Sequence, residues 1–170
     1  VCDLSVIQRL QPALRQGKWH VTVALRDGHQ IVAIWPGLKD QIAGVAIDVG
    51  STTMSAHLCD MVTGTVLAST GAMNPQIRFG EDLMSRVSYG IMNPGGAAEM
   101  TTAVIAGLQT LIDGAAKQAG LNSEDIVELV VVGNPVMHHL LLGIDPVELG
   151  GAPFALAVDA AMEVRAAELG

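Results

Sequence analysis

The sequence predicts an α/β architecture, a mixed sheet packed by helices and preceded by a small α+β unit. Three observations carry that reading. Half of the residues are apolar but only 3% are aromatic, so the core must be built from Val, Ile, Leu, Ala and Met, a composition suited to helices layered on a sheet. From Gly44 onward, three short runs with alternating apolar residues follow one another through short turns, the pattern of an antiparallel meander. A long helical pattern then leads to a further apolar run, Val127 to Val132, without alternation, as expected of a strand buried on both faces.

Taken in order, Leu4 to Arg15 place Leu4, Ile7, Leu10 and Leu14 at helical spacing, with Gly17 as the stop. Trp19–Arg26 and Gln30–Trp35 are Val/Ile-rich runs joined by Asp27-Gly28, a strong hairpin signal. Residues 1–40 therefore read as the end of a preceding domain, with Trp19 and Trp35 packing its sheet on its helix, and Pro36-Gly37 separating it from a second unit over 44–170.

That second unit opens with GVAIDVGSTTMSAHLCD, from Gly44 to Asp60. One run ends on Asp48, a Gly-Ser-Thr-Thr turn follows, and a second run leaves it. Gly50 lets the backbone come close to a ligand, while Ser51, Thr52 and Thr53 add hydroxyls to outward backbone N–H groups, so the tip suits phosphate. Asp48 beside it suits the water shell of a Mg²⁺ or an attacking water. An ordinary polar turn has the same composition.

Thr65–Thr70 supplies the third strand. After Ala72 to Gly80 comes a short helix with Glu81 and Asp82 in its first turn, where the helix dipole favours anions. Asn93-Pro94-Gly95-Gly96 ends it. Ala97 to Ala119 forms the longest helix, in which Gly107 and Gly114 allow close packing. The strand Val127–Val132 ends at Gly133-Asn134-Pro135 and precedes a helix over Val136–Leu142, a Gly/Pro-rich loop to Pro153, and a last helix over Val158–Leu169.

Charge and motifs exclude several classes. A net charge of −8 without a Lys/Arg cluster argues against nucleic acid. No apolar run reaches the roughly 18 to 20 residues needed to span a bilayer, and no basic n-region with an apolar stretch marks a signal peptide. Two distant cysteines, Cys2 and Cys59, make neither a disulfide framework nor a cluster ligand set, which suits a reducing cytoplasm. Walker, dinucleotide and H-E-x-x-H motifs are missing, and the adjacent His138 and His139 point about 100° apart on a helix, so they do not form a metal-binding face. The start at Val1 in mid-pattern and the abrupt stop at Gly170 suggest a fragment.

The order GVAIDVGSTT, strand, turn and strand resembles the first phosphate motif of the actin-like ATPase superfamily, whose core is ribonuclease H-like. NPQIRFGEDLMSRVSYG (Asn74 to Gly90), VVGNPVMHHLLLGIDP (Val131 to Pro146) and LGGAPF (Leu149 to Phe154) sharpen this. Nearly the whole chain resembles the ATP-dependent reductive activators of corrinoid proteins, and KWHVTVALRDGHQIVAIWPG before the hairpin is similar to the end of that family's middle domain, so residues 1–40 would be the end of a preceding middle domain. That resemblance implies a larger parent with an N-terminal [2Fe–2S] ferredoxin-like domain, absent here, and an actin-like ATPase domain of which 44–170 is the N-terminal subdomain. ATP and Mg²⁺ would drive reduction of Co(II) corrinoid to Co(I) for a corrinoid protein and its methyltransferase, and a homodimer is allowed.

Carried over residue by residue, Asp48 is the catalytic position, near Mg²⁺ through water. Gly50, Ser51, Thr52, Thr53, Gly133 and Asn134 are the cofactor-binding positions, and Asn74, Gln76, Asp82 and Arg86 face a partner or another domain. Ser51 stands where the family commonly has Thr. Pro135 and Val136 stand where it has a Thr pair. From the residues alone, Asn74 and Gln76 equally stabilise a loop, and Asp82 and Arg86, at i and i+4, equally make a surface ion pair. Two other functions share the hairpin: a sugar or acetate kinase half-domain, and a docking module of the same fold without catalysis. The isolated stretch is expected to be inactive.

Overall fold

The computed structural model describes residues 1–169. Its first unit is helix α1 (Leu4–Gln16) on a two-stranded hairpin, β1 (Val21–Arg26) and β2 (Gln30–Pro36). The hairpin turns because Asp27 and Gly28 both take positive φ, 51° and 70°, the backbone twist that short hairpin loops need. Gly17 ends α1 in a close approach that only glycine permits, since a Cβ there would lie 2.1 Å from the His20 carbonyl oxygen.

α1 forms where helical spacing places it, but it seats on the hairpin through residues other than the spaced leucines and isoleucine. Val6 and Ala13 pack against Ile34, while Leu4 and Ile7 remain 66% and 54% exposed. A two-stranded sheet is narrow and covers only one strip of a helix, and the small Ala13 allows the closest seat. The expectation for the tryptophans is not met: Trp19 lies on the surface, and Trp35, although buried, alternates along β2 with Ile34, the residue that packs on α1, and so faces the other side of the hairpin.

The second unit is a four-stranded sheet in the order β5-β4-β3-β6. Strands β3 (Ala43–Val49), β4 (Thr53–Asp60) and β5 (Val66–Met73) form the antiparallel meander, and β6 (Ile126–Gly133) joins β3 in parallel. The sheet is therefore mixed. A single 3-10 turn (Pro75–Phe79), α2 (Leu83–Met92) and α3 (Gly96–Ala119) make the crossover between β5 and β6, and α4 (Pro135–Leu141) follows β6.

Period-two alternation decides which face is buried. Val45, Ile47 and Val49 of β3 and Met54, Ala56 and Leu58 of β4 face Met100, Val104, Leu108 and Leu111 of α3, with Met137 and Leu140 of α4 closing the core. Each of the buried Val, Leu, Ile and Met side chains among them contributes roughly 1.5–3 kcal/mol. Gly107 sets the distance of α3 from the sheet: a Cβ there would come within 2.7 Å of Met54 Cε and 3.0 Å of Pro75 Cγ.

Two further expectations are corrected. β6 is not buried on both faces, because Val130 and Val132 are 56% and 58% exposed. It is an edge strand with helices on one side only, so its apolar run reflects β-propensity more than burial. The helix expected over Val158–Leu169 is reduced to a single turn, Ala166–Glu168, and nearly all of that stretch is exposed. Helical periodicity without a surface to pack on leaves the costly nucleus uncompensated. Gly170, the expected end, lies outside the described residues. No helix among the described residues is long and apolar enough to cross a membrane.

Candidate functional site

Because β3 and β6 are parallel neighbours, their carboxyl ends open at one edge, where Val49 pairs with Gly133. Ligands of open α/β sheets bind outside such strand ends. The Gly50–Thr53 turn sits there, joining β3 to β4, and so does Asn134, the residue that caps α4.

The turn is held from beneath. Asn74 Nδ2 donates to the Gly50 carbonyl at 2.8 Å, and the Asn74 backbone N–H donates to the Thr52 carbonyl at 2.8 Å. Arg86 Nη2 donates to the Ser51 carbonyl. Three consecutive carbonyls are thus fixed inward. Each shares a planar trans peptide with the next residue's N–H, which points the opposite way, so the N–H groups of Ser51, Thr52 and Thr53 are aimed away from Asn74 and Arg86. Those of Ser51 and Thr52 have no acceptor among the described residues. Successive outward N–H groups make a concavity for anions.

Gly50 is required by this geometry, since a Cβ on it would lie 2.6 Å from the Thr53 carbonyl oxygen. Thr52 and Thr53 are exposed and Ser51 is half-buried. Asp48 projects from the face of the sheet opposite α3, exposed, between Ser55 of β4 and Val132 of β6. Its carboxylate makes no hydrogen bond or ion pair among the described residues. No cluster of three or more His, Cys, Asp or Glu side chains able to hold a metal occurs among them, so a cation at Asp48 would take its remaining ligands from water and from the anion it accompanies.

Asn134 uses its side chain at home, accepting from Met137 N at 3.1 Å. Pro135 occupies the first helical position, where the N–H it lacks has no intrahelical partner anyway. A Cβ on Gly133 would lie 3.1 Å from the Val49 carbonyl oxygen, which keeps the two strand ends close. A cleft of about 270 Å³ lies beside them, lined by Val49, Gly133, Met137, His138 and Asp159. His139 is buried; its Nε2 accepts from Ala157 N at 3.1 Å, leaving Nδ1 to donate to the Pro135 carbonyl at 2.8 Å.

Of the four residues expected to face a partner or another domain, Asn74, Gln76 and Arg86 are instead buried, at 1%, 0% and 0% exposure. Their polar atoms are spent inside the fold. Asn74 also caps the 3-10 turn by accepting from Gln76 N at 2.9 Å, and Gln76 Nε2 donates to the Met100 carbonyl at 2.9 Å. Asp82 alone is exposed. It caps α2, accepting from Ser85 N at 2.7 Å, and the Ser85 hydrogen bonds followed by the Arg86 charge hold its carboxyl below the usual range.

The Asp82–Arg86 surface ion pair does not form. Arg86 turns under the turn instead: Nε donates to the Gly80 carbonyl at 3.0 Å and Nη1 lies 3.4 Å from Gln76 Oε1 and 3.3 Å from Met137 Sδ. The i+4 spacing to Asp82 hid this. The contrary signal was present, since Leu83, Val87 and Gly90 place Arg86 on the apolar stripe of its own helix. Met137, which touches both Asn74 Nδ2 and Arg86 Nη1, carried no sequence signal beyond a core methionine.

Fold and edge together define an α/β domain with a mixed sheet whose outward-facing polar turn lies at the carboxyl ends of its parallel pair, β3 and β6. The chain belongs to the RACo family: the RACo linker region matches residues 1–41 and the RACo middle region matches residues 43–170. It is 34% identical over 137 residues to the corrinoid activation enzyme RamQ of Eubacterium limosum, a match covering 79% of this chain and 23% of that protein. A solved structure described as a reductive activator for corrinoid, iron-sulfur protein superposes with a TM-score of 0.76 at 35% identity, covering 92% of this chain and 26% of the other. The chain thus spans about a quarter of the length of these relatives.

Proposed function

We propose that this chain supplies the first phosphate-binding hairpin of an ATP-driven activator that reduces the Co(II) form of a corrinoid protein to Co(I). The observation that carries the reading is the turn itself, with three carbonyls tied inward and the N–H groups of Ser51 and Thr52 left without an acceptor among the described residues. Membership of the RACo family and similarity to two corrinoid activators support the reaction.

In this reading residues 44–170 are the N-terminal subdomain of an actin-like ATPase domain and residues 1–40 the end of the region before it. The turn binds the terminal phosphates of Mg-ATP through backbone N–H groups and the Ser51, Thr52 and Thr53 hydroxyls. Asp48 orders water around Mg²⁺ and orients the water that attacks the phosphate. Gly133 and Asn134 keep the second strand end open beside them. The adenosine site and the [2Fe–2S] cluster, which would deliver the electron, belong to other parts of the longer protein. The corrinoid protein, within a methyltransferase system, is the partner.

Asp48→Ala in the full-length protein tests this. Loss of ATP-stimulated corrinoid reduction with an unchanged melting temperature is expected. Undiminished activity in a folded variant would overturn the assignment.

A further inference from the structure

Arg86 is a buried cation without a counter-charge. Its guanidinium is fully shielded from solvent, and all four of its partners are neutral: the carbonyls of Gly80 and Ser51, the side-chain oxygen of Gln76 and the sulfur of Met137. The four ion pairs among the described residues involve Arg9, Arg26, Lys39 and Arg165, none of them Arg86. Asp82, one helical turn away, points to solvent and caps its own helix. Burial pushes the Arg86 pKa down, with the Asp82 charge partly opposing this, yet a guanidinium stays protonated in such settings.

An unpaired internal charge is a standing cost to a fold, and this one lies directly under the peptide that joins Ser51 to Thr52. We propose that Arg86 is the fixed positive charge of the anion site, a positioning residue that favours a polyphosphate on the far side of the Gly50–Thr53 turn and reports its arrival to α4 through Met137. The inference rests on the reading of that turn as a phosphate site and adds the group that sets its charge preference.

Two effects work together. The hydrogen bond to Ser51 O fixes the peptide plane, so the Thr52 N–H points outward before ligand arrives. The charge, screened from water on its own side, acts across a low-dielectric layer on whatever occupies the other. Because the same Nη1 touches Met137 and Gln76, neutralising the charge from outside alters the grip of the guanidinium on α4 and on the 3-10 turn.

The test is calorimetric binding of AMP, ADP and ATP, each with Mg²⁺, to the full-length protein and to Arg86→Gln and Arg86→Lys. The expected result is that Arg86→Gln weakens ATP by on the order of tenfold or more, ADP less and AMP least, while Arg86→Lys, keeping the charge, restores much of the ATP affinity. A purely structural Arg86 would change all three equally, or not at all in the folded fraction, and either result overturns the proposal. Should both variants fail to fold, the Arg86 Nε–H resonance of the unaltered protein decides: it must shift on addition of pyrophosphate, and an unmoved resonance with pyrophosphate bound sinks the idea. If the unaltered protein binds neither ATP nor pyrophosphate, the phosphate-site reading fails first and takes this inference with it.

Discussion

Asn74 Nδ2 lies 2.8 Å from the carbonyl oxygen of Gly50, although 24 residues separate them. One buried amide thereby ties the start of the Gly50–Thr53 turn to the connection after β5. Its oxygen caps the 3-10 turn and its backbone N–H holds Thr52. Asn74→Ala removes both side-chain contacts. It should cost about 2–4 kcal/mol, the sum of an orphaned carbonyl and a lost cap, read by urea denaturation. Nucleotide affinity should fall with it, because the Ser51 N–H is no longer aimed. A loss below about 1 kcal/mol would show that water replaces the amide and that the turn is not held by it.

Gly50→Ala tests the turn from the other side. The added methyl would sit 2.6 Å from a backbone oxygen, that of Thr53. Backbone cannot swing aside as a flexible side chain does, so the turn itself must move. A cost of about 1–3 kcal/mol is expected. Weaker Mg-ATP binding should accompany it, whereas Gly28→Ala in the remote hairpin should leave binding alone while costing stability at its φ of 70°. Equal effects of the two substitutions on binding would remove Gly50 from the site.

These two positions show what was legible in the sequence and what was not. The meander, the long α3 and the close approach of Gly107 followed from periodicity and turn chemistry, which are local. Gly50 was legible for the same reason. The α1 helix was legible but its covered face was not, because Leu4 and Ile7 carry helical spacing whatever covers them, and the cover is a sheet only two strands wide. The tail after Val158 failed as a helix, since its pattern lacks a surface to pack on. Asn74 and Arg86 were legible as unusual polar residues but not as a support for the turn. Their partners lie 24 and 35 residues away, and no local pattern encodes such pairings.

The Asp60 carboxylate gives a pH signature. Backbone N–H groups of Thr63 and Val62, each 2.8 Å from Oδ1, lower its pKa. A carboxyl depressed in the folded state contributes stability above its ordinary value, about 3.9, and loses it as pH falls through the folded value. The difference in melting temperature between the unaltered protein and Asp60→Asn should therefore be constant from neutral to mildly acidic pH and shrink on the acid side of that value. A gap that widens with acid would contradict the assignment of the shift to the Asp60–Thr65 turn.

Three of the ion pairs between the two units take their cations from the first and their carboxylates from residues 124–128 of the second: Arg9–Glu124, Arg26–Glu128 and Lys39–Asp125. They are not equivalent. The first two pairs are largely exposed, and pairs of that kind contribute about 0–1 kcal/mol. Asp125 is buried, at 4% exposure, and Lys39 Nζ lies 2.9 Å from its Oδ1. Lys39→Ala strands a shielded carboxylate whose other bond among the described residues is to the Asn122 backbone N–H. It should cost more than Arg9→Ala and Arg26→Ala together, and the cost should depend little on salt, while the small effects of the other two should vanish above a few tenths molar. Adding Asp125→Asn to Lys39→Ala should recover part of the loss, because the buried charge is then gone. If Lys39→Ala proves no worse than Arg9→Ala, the seam is held by packing and the ion pairs merely decorate it.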